Sequence, residues 1–454
     1  MNDWPHKLSG ALGDASRLTV DPDVLAAYTN DQAPLAPAGV PVALVRAKRV
    51  EDVVTTLRFA NERRIPVVTR GAGTGLAGGA NALDGCIVLS LAGMDAILGI
   101  DVASRTAVVE PGVLNATLGR EAAALGLWYA PDPASREIST IGGNIATNAG
   151  GSCCLKYGVT GDHVAALEVV LADGTRIHTG ALTKKNVAGL DLTRLMVGSE
   201  GTLGVIVQAT VRLLRAQRPA STLVAFFDTV EAAAQAIVEL DASLELCLLE
   251  VMDRTTVRAV EAMVQLELDT EAAAFVLLQS DAADAKGEIA RAEAICKAHA
   301  AKSVMSTDDV EEGKLLLTAR RLALPALEQQ GLTLLDDVAV PKPRLPEMFA
   351  RIGKIAQAHG LVIGTFGHAG DGNLHPTIVF QRGDEASRKA ALAAFDAIVR
   401  AALALGGSIT GEHGVGSLKS NYLTAMVGDA ERALMQRIKG AFDPRGILNP
   451  GRGI

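Results

Sequence analysis

The chain has 454 residues, a net charge of −8 and an apolar fraction of 49%, which is enough to bury the cores of more than one domain. The acidic balance and an aromatic content of only 3% argue against nucleic acid as a partner. No apolar run reaches the length of a membrane span, and the first ten residues lack the apolar segment of a signal peptide, so we expect a cytoplasmic protein. The five cysteines form no C-x-x-C pair, which argues against an iron–sulfur cluster or a cysteine-based zinc site.

The first predicted elements lead into a glycine-rich loop. Residues 48–64 carry apolar side chains at helical spacing, and the short strand PVVT follows and opens into RGAGTGLAGGA (70–80). Closely spaced glycines let main-chain N–H groups approach a diphosphate without interference from Cβ atoms, although a tight structural turn is an equal alternative. Gly73, Gly75 and Gly78 match G-x-G-x-x-G, but a strand follows the loop directly, which excludes a Rossmann turn.

Two more segments of small residues follow. PDPASREISTIGGNIATNAGG (131–151) is poor in bulk for the middle of a domain, which favours close packing against a large planar ligand. HVAALEVVLADGTRIHTG predicts a hairpin with Asp173–Gly174 at its tip, and MVGSEGTLGVI (196–206) again places small residues beside a strand.

Together the three segments resemble, in order, the FAD domain of the vanillyl-alcohol-oxidase type over roughly residues 35–215. The resemblance implies that the first loop wraps the FAD pyrophosphate, that the second segment lines the ring and ribityl chain, and that the third meets the adenine. Relatives with covalent flavin carry a histidine in the first loop, and none lies between Thr69 and Ala80, which implies noncovalent FAD. The implied cofactor-binding residues are Arg70, Gly71, Ala72, Gly73, Thr74, Gly75, Leu76, Pro131, Asp132, Ser139, Thr140, Gly142, Gly143, Asn144, Ala146, Thr147, Gly151, Val205 and Ile206.

Beyond residue 216 strands and helices alternate. TLVAFFDTVEAAAQAIVELDA reads as a strand and then a helix, and AAAFVLLQS followed by DAKGEIARAEAICKAHA repeats that order. Residues 385–406 predict a long alanine-rich helix, and the last helix is stopped by Pro444. This pattern predicts an α+β domain with helices on one face of a mainly antiparallel sheet.

Two of the eight histidines flank a glycine turn in GHAGDGNLHP (367–376), so His368 and His375 are expected to face each other across a hairpin. Glu412 and His413 follow in GSITGEHGVG, and two histidines with one glutamate are a known ligand set for Zn²⁺ or a similar divalent ion. Two hydrogen-bonded structural histidines are the alternative. Such an ion would acidify the hydroxyl of a chelated 2-hydroxy acid while a neutral histidine takes the proton. His413 is the candidate base, with a third imidazole ligand as its alternative role.

HAGDGNLHP, GGSITGEHGVG and AFDPRGILNPG extend the resemblance over nearly the whole chain, to the FAD-linked 2-hydroxy-acid dehydrogenases and most nearly to the group of the glycolate oxidase flavin subunit and D-lactate dehydrogenases. It implies an FAD domain at 1–216, an α+β, ferredoxin-like substrate or cap domain at 217–410, and a segment at 411–454 that returns to the flavin. The implied site residues are the metal ligands His368, His375 and Glu412, the base His413, the substrate-binding Arg320 and Asn373, and Asn449 at the flavin; Arg321 is an alternative to Arg320.

The resemblance implies oxidation of a small 2-hydroxy acid, glycolate or D-lactate, to the 2-oxo acid. Relatives that act on D-2-hydroxyglutarate carry a lysine before the strand that corresponds to DDVAVP, where this chain has Leu334, Leu335 and Asp336, which favours monocarboxylates over that acid and over longer ones. Electrons are expected to leave to a quinone, an electron-transfer flavoprotein or a separate iron–sulfur subunit. A homodimer and peripheral attachment to the inner membrane are further expectations. A metal-dependent hydrolase and an FAD-carrying scaffold subunit that only transfers electrons are the alternatives from other classes.

Overall fold

A computed structural model describes residues 4–454, and residues 1–3, which fall in the predicted domain 1–216, lie outside the described part. The chain divides into two compact units. Unit 1 comprises residues 1–150, 158–216 and 412–454, and unit 2 comprises residues 151–157 and 217–411. The units differ from the predicted limits in one short segment, 151–157, and in joining the C-terminal residues to the first unit.

Helices and strands are numbered in chain order. The helices are α1 Trp4–Leu12, α2 Pro22–Ala26, α3 Val50–Arg63, α4 Asn115–Ala124, α5 Ile141–Thr147, α6 Cys154–Tyr157, α7 Leu192–Met196, α8 Val230–Ser243, α9 Arg254–Val264, α10 Ala285–Ala298, α11 Val310–Arg321, α12 Ala323–Glu328, α13 Leu345–His359, α14 Glu385–Ala404, α15 Leu423–Val427 and α16 Asp429–Phe442. The strands are β1 Leu18–Thr19, β2 Ala43–Arg46, β3 Val67–Arg70, β4 Ile87–Ser90, β5 Ile97–Asp101, β6 Thr106–Val109, β7 Leu127–Trp128, β8 Val164–Val170, β9 Arg176–Gly180, β10 Val205–Arg212, β11 Leu214–Arg215, β12 Ser221–Phe227, β13 Leu248–Asp253, β14 Ala274–Ser280, β15 Ala301–Thr307, β16 Leu332–Leu335, β17 Val338–Ala339, β18 Val362–His368 and β19 Asn373–Phe380. Among residues 4–454 no helix has both the length and the apolar character needed to cross a membrane.

Unit 1 contains two main sheets of different type. In the order β1-β2-β4-β3, strands β2, β4 and β3 are parallel and β1 is antiparallel to β2, whereas the order β5-β6-β10-β8-β9 is antiparallel throughout. Helix α3 packs Val53, Leu57 and Ala60 into the core below the first sheet, as its predicted amphipathic face requires. The predicted hairpin is confirmed as β8–β9, with Gly174 at a φ of +82° in its tip. The glycine loop joins β3 to β4 without a helix, which confirms that it is not a Rossmann turn.

Unit 2 is built on one antiparallel sheet in the order β15-β12-β14-β13-β18-β19-β16, with β17 paired to β19. The predicted strand–helix pairs are confirmed as β12–α8 and β14–α10, with β13–α9 between them in the chain. Every residue of β12 and of β19 is buried, and one core cluster joins alternate strand residues to α9, α11 and α12. Because neighbouring strand residues point to opposite faces, such burial needs cover on both faces, and the prediction of helices on one face is wrong. Uninterrupted apolar runs such as VAFF carried that signal.

Candidate active site

The glycine loop of unit 1 is held by Arg70, whose side chain is buried beneath it. The Arg70 guanidinium donates to the carbonyl of Asn30 at 2.8 Å and to that of Ala80 at 3.3 Å. Gly73 has a φ of +73°, and a Cβ there would lie 2.1 Å from Arg70 Nη2, so glycine is required both by the backbone and by the packing. Burial lowers the pKa of Arg70 while the charge of Asp31 opposes that shift. The side chain of Arg70 therefore shapes the loop, and its contact with a pyrophosphate stays a prediction.

The main chain of this loop offers donors to a ligand. Within the described residues, none of the N–H groups of residues 71–76 donates to a main-chain carbonyl. A row of such donors on a loop with little side-chain bulk is the arrangement that binds diphosphate oxygens. Gly71 also packs against α5, since a Cβ at Gly71 would lie 2.4 Å from Thr140 Oγ1. The first and second small-residue segments are thus in contact.

The hydroxyl and amide groups of the second segment are engaged to different degrees. Thr140 Oγ1 caps α5 by accepting from the N–H of Gly143, and Thr147 Oγ1 donates back to the Gly143 carbonyl. Asn144 Oδ1 accepts from Asn115 Nδ2 at 3.2 Å. Ser139 Oγ is buried and has no hydrogen-bond partner among residues 4–454. Of the four predicted polar contacts to a flavin, Ser139 is the one whose hydroxyl is left for a ligand.

Glu200 organises the third segment, and sequence reasoning missed it. Its carboxylate accepts from the N–H of Val415 at 2.8 Å and from that of Gly416 at 2.7 Å, which joins residues 196–206 to the C-terminal part of unit 1. Burial raises the pKa of Glu200, although those two N–H groups oppose the rise. A lone glutamate inside a segment of glycines and hydroxyls was the available signal. Both its partners lie more than 200 residues away in the sequence, so no local pattern points to them.

Asn449 reaches the glycine loop from the C-terminal segment. Its Nδ2 donates to the carbonyls of Gly79 at 2.9 Å and Glu200 at 2.7 Å, while its Oδ1 is buried without a partner in the described part of the chain. The hydroxyls of Thr69 and Ser139 are unpartnered in the same way. Unsatisfied buried oxygens are rare in native proteins and indicate a polar ligand. Together with the glycine loop they fit the phosphate, ribityl and ring groups of FAD.

The remaining predicted FAD residues have their side chains in protein contacts or on main-chain turns. Val205 and Ile206 are buried in two different core clusters of unit 1, so only their main chain is left to meet an adenine, and that contact stays a prediction. The Pro131 carbonyl accepts from Asn115 Nδ2, and the Ala146 carbonyl accepts from the N–H of Glu200. A Cβ at Gly142 would lie 2.5 Å from Pro111 Cβ, so close packing of α5 requires this glycine.

In unit 2, His368 and His375 lie at the end of the β18–β19 hairpin. Phe366 is paired with His375 and His368 with Asn373, and the two imidazole centroids are 5.3 Å apart. The prediction that the two histidines face each other across a hairpin is confirmed. The turn needs its glycines, because a Cβ at Gly367 would lie 2.3 Å from the carbonyl oxygen of Asn373.

Glu250 on β13 is the charged residue on which this region is built, and sequence reasoning did not identify it. Its side chain is fully buried, with Oε1 2.6 Å from His368 Nδ1 and Oε2 2.6 Å from Arg320 Nε. Burial alone would raise the pKa of Glu250, but the charges of His368 and Arg320 hold it below its ordinary value. The only sequence signal was a carboxylate inside the apolar strand LLEVMD.

The structure separates the two candidate arginines at the end of α11. Arg320 is 7% exposed and its guanidinium lies 4.7 Å from the centre of the Phe366 ring, whereas Arg321 is exposed. A cation held between a carboxylate and an aromatic ring is fixed in orientation. Arg320 is therefore the arginine that belongs to the histidine region, as the first of the two alternatives required.

Asn373 and the residues before Glu412 are held by Asp337. Its carboxylate accepts from Asn373 Nδ2 at 2.7 Å, from Thr410 Oγ1 at 2.7 Å and from the N–H of Gly411 at 2.9 Å. His375 Nδ1 lies 3.7 Å from the same carboxylate. The Asn373 amide thus supports the hairpin, and a contact of Asn373 with substrate stays a prediction.

Glu412 and His413 follow at once in the chain and belong to unit 1. A Cβ at Gly150 would lie 2.5 Å from Glu412 Oε2, and His413 Nε2 is 3.8 Å from Glu412 Oε1. The predicted ligand set consequently has two members in unit 2 and one in unit 1. The donor chemistry fits a divalent ion, because the Glu250 carboxylate at Nδ1 leaves Nε2 of His368 as the ligand atom.

Comparisons with known proteins agree with both units. The profile of the family "FAD linked oxidases, C-terminal domain" matches residues 216–452, and that of "FAD binding domain" matches residues 41–180. The glycolate oxidase subunit GlcD of Bacillus subtilis (strain 168) is 42% identical over 417 residues, covering 91% of this chain and 89% of its own length. The D-lactate dehydrogenase of Archaeoglobus fulgidus is 37% identical over 436 residues, covering 94% and 95%. The crystal structure of p-cresol methylhydroxylase superposes with a TM-score of 0.83 at 20% identity over 100% of this chain and 96% of that one, which confirms the predicted α+β flavoprotein fold.

Proposed function

The chain belongs to the FAD-linked oxidases, and on that premise we propose that it oxidises a small 2-hydroxy acid of the glycolate or D-lactate type to the 2-oxo acid. The observation that carries the proposal is the buried group Arg320–Glu250–His368, which presents a fixed cation beside an imidazole. A 2-hydroxy acid needs this pair of functions, a donor fork for its carboxylate and a ligand set near its hydroxyl. The relatives named glycolate oxidase subunit and D-lactate dehydrogenase support the same substrate class.

When bound, FAD accepts the hydride equivalent from C2 and a divalent ion, Zn²⁺ in the first instance, acidifies the substrate hydroxyl. In the proposal His368, His375 and Glu412 hold that ion. Arg320 binds and orients the substrate carboxylate through its Nη groups. His413 takes the hydroxyl proton on its imidazole.

FAD is proposed to be bound without a covalent link, by the residues named from the three small-residue segments and by Asn449. The support is the absence of a histidine between Thr69 and Ala80 in the sequence. Acid precipitation of the purified protein should release the flavin into the supernatant. A pellet that keeps its yellow colour after the acid treatment would contradict this proposal.

The test of function is anaerobic reduction of the bound flavin by glycolate, by D- and L-lactate and by D-2-hydroxyglutarate, followed by absorbance. We expect glycolate or D-lactate to bleach the flavin fastest, because Leu334, Leu335 and Asp336 offer no cation for a second carboxylate. A flavin that dithionite reduces and no hydroxy acid reduces would favour an electron-transferring scaffold. A purified protein without flavin would favour a metal-dependent hydrolase. The acceptor is proposed to be a separate quinone, flavoprotein or iron–sulfur subunit.

A further inference from the structure

We propose that Glu250 is a positioning residue that serves the metal site and the substrate-carboxylate site at the same time. This inference rests on the proposed function and goes beyond it, because Glu250 is neither a ligand nor a substrate contact in that proposal. Each of its two oxygens has one partner, His368 for Oε1 and Arg320 for Oε2. The carboxylate is fully buried, so no water competes for either oxygen.

The register of the sheet sets the first contact. Strand β13 is antiparallel to β18, with Val251 opposite Gly367 and Met252 opposite Phe366. The next pair in that register is Glu250 and His368, so the carboxylate and the imidazole are direct cross-strand neighbours. A histidine that donates Nδ1–H to a carboxylate keeps Nε2 unprotonated, which is the state a metal ligand needs.

The second contact fixes the substrate fork. With Arg320 Nε turned to Glu250 and the guanidinium against the Phe366 ring, the plane of the cation is set. Its Nη groups are then the donors that remain for a carboxylate, in the bidentate geometry that favours 2-hydroxy acids over neutral alcohols. One buried carboxylate therefore aligns the ligand atom of one site and the donor atoms of the other.

The deciding variant is Glu250→Gln. A glutamine amide has one acceptor oxygen and one NH₂ group, so it satisfies only one of the two N–H donors and opposes the other. We expect the affinity for Zn²⁺ or Co²⁺ alone, titrated into metal-free protein, to fall about 10–100-fold. We also expect the visible spectrum of the Co²⁺ form to change and the KM for glycolate to rise. Flavin content should stay at the wild-type level.

Asp253→Asn is the matched control, because Asp253 is a fully buried carboxylate on the same strand whose hydrogen bonds go to Thr256 and Thr365. It should lower thermal stability and leave metal affinity and KM unchanged. Should Glu250→Gln not fold, Glu250→Asp keeps the charge but is too short to reach both partners, and it should show the same paired losses. Stability loss without any change in metal affinity and KM, in either Glu250 variant, overturns the proposal. If wild-type protein binds no metal, the proposed metal site falls together with it.

Discussion

The cofactor cradle of unit 1 and the charged group of unit 2 reach their specificity in opposite ways. In the cradle, the binding groups are main-chain N–H donors and a few hydroxyl and amide oxygens, and the side chains are kept small. In unit 2, the binding groups are large ionisable side chains whose positions depend on one buried carboxylate. The first region should therefore fail when an atom is added, and the second when a charge or a ligand atom is removed.

The comparison also shows two costs of burial. A row of free N–H groups is cheap to hold, because glycines and turns already place it, and its ligand completes the hydrogen bonds. A buried carboxylate is expensive to desolvate and must be matched by partners on the spot. Glu250 has two cationic or ionisable partners, whereas Glu200 in the cradle is matched by neutral N–H groups and its pKa is raised by burial.

The largest effect is expected from removing the proposed base. His413→Ala should keep FAD and metal but slow flavin reduction by about 10²–10⁴-fold, because the hydroxyl proton then has only water to accept it. His375→Ala should lose the metal itself. Metal content by elemental analysis and rapid-mixing flavin reduction distinguish the two. If His413→Ala loses metal as readily as His375→Ala does, His413 is a ligand and the base lies elsewhere.

Adding one methyl group to the cradle should be nearly as damaging. Gly73→Ala forces a Cβ into the Arg70 guanidinium at a φ of +73°, which should destabilise unit 1 by about 2–5 kcal/mol and strip its FAD. The matched control is Gly85→Ala, where φ is also +73° but nothing lies within 4 Å. That variant should cost only the backbone strain, about 1–2 kcal/mol, and keep its flavin. Equal flavin loss in both would show that packing on Arg70 is unimportant.

The next effect depends on pH and tests the burial of charge in unit 2. Burial raises the pKa of Asp253 from its ordinary value of 3.8 to about 6, although hydrogen bonds from Thr256 and Thr365 oppose the rise. The folded state then holds its proton to higher pH than the unfolded state, so this group lowers the free energy of unfolding as pH rises through that window. The stability advantage of wild type over Asp253→Asn should shrink between pH 4 and pH 6, by at most about 3 kcal/mol. Denaturant unfolding at several pH values measures it, and a pH-independent difference would show that Asp253 is ionised throughout.

The smallest effect concerns the short segment 151–157. Lys156 Nζ lies 2.6 Å from Asp281, which also accepts from Tyr157 and from Gln217. Lys156→Met removes one partner of a buried carboxylate that retains two others, so we expect a loss of about 1–2 kcal/mol in unfolding free energy. Lys185→Met, at an exposed position, is the control and should change nothing measurable. A wild-type unfolding curve for Lys156→Met would show that Tyr157 and Gln217 suffice for Asp281.

The sequence was most informative where the responsible contacts are local. His368 and His375 could be paired in advance because a glycine turn between two apolar strands fixes their register. The amphipathic pattern of α3 and the Asp173–Gly174 tip are local in the same sense. The glycine loop was assigned correctly to a strand–loop–strand connection for the same reason.

The partners of those residues could not be found in the same way. Glu250 lies 118 positions from His368, and a single glutamate in an apolar strand has no period or motif that reveals a contact. Continuous burial was also misjudged. An apolar run fits a sheet covered on one face or on both, and strand periodicity alone does not separate a strand packed on both faces from one packed on one.

The exposed edge of β3 has a consequence for the order in which the protein is made. The N–H of Val67 donates to the carbonyl of Ile447 at 2.8 Å, and the N–H of Asn449 donates to the carbonyl of Val67 at 2.9 Å. The edge strand that leads into the glycine loop is therefore closed by residues synthesised about 380 positions later, after all of unit 2 has left the ribosome. Until then β3 presents open hydrogen-bonding groups, a state in which chaperones and proteases act. Flavin loading is in this way reserved for chains whose translation has passed residue 449.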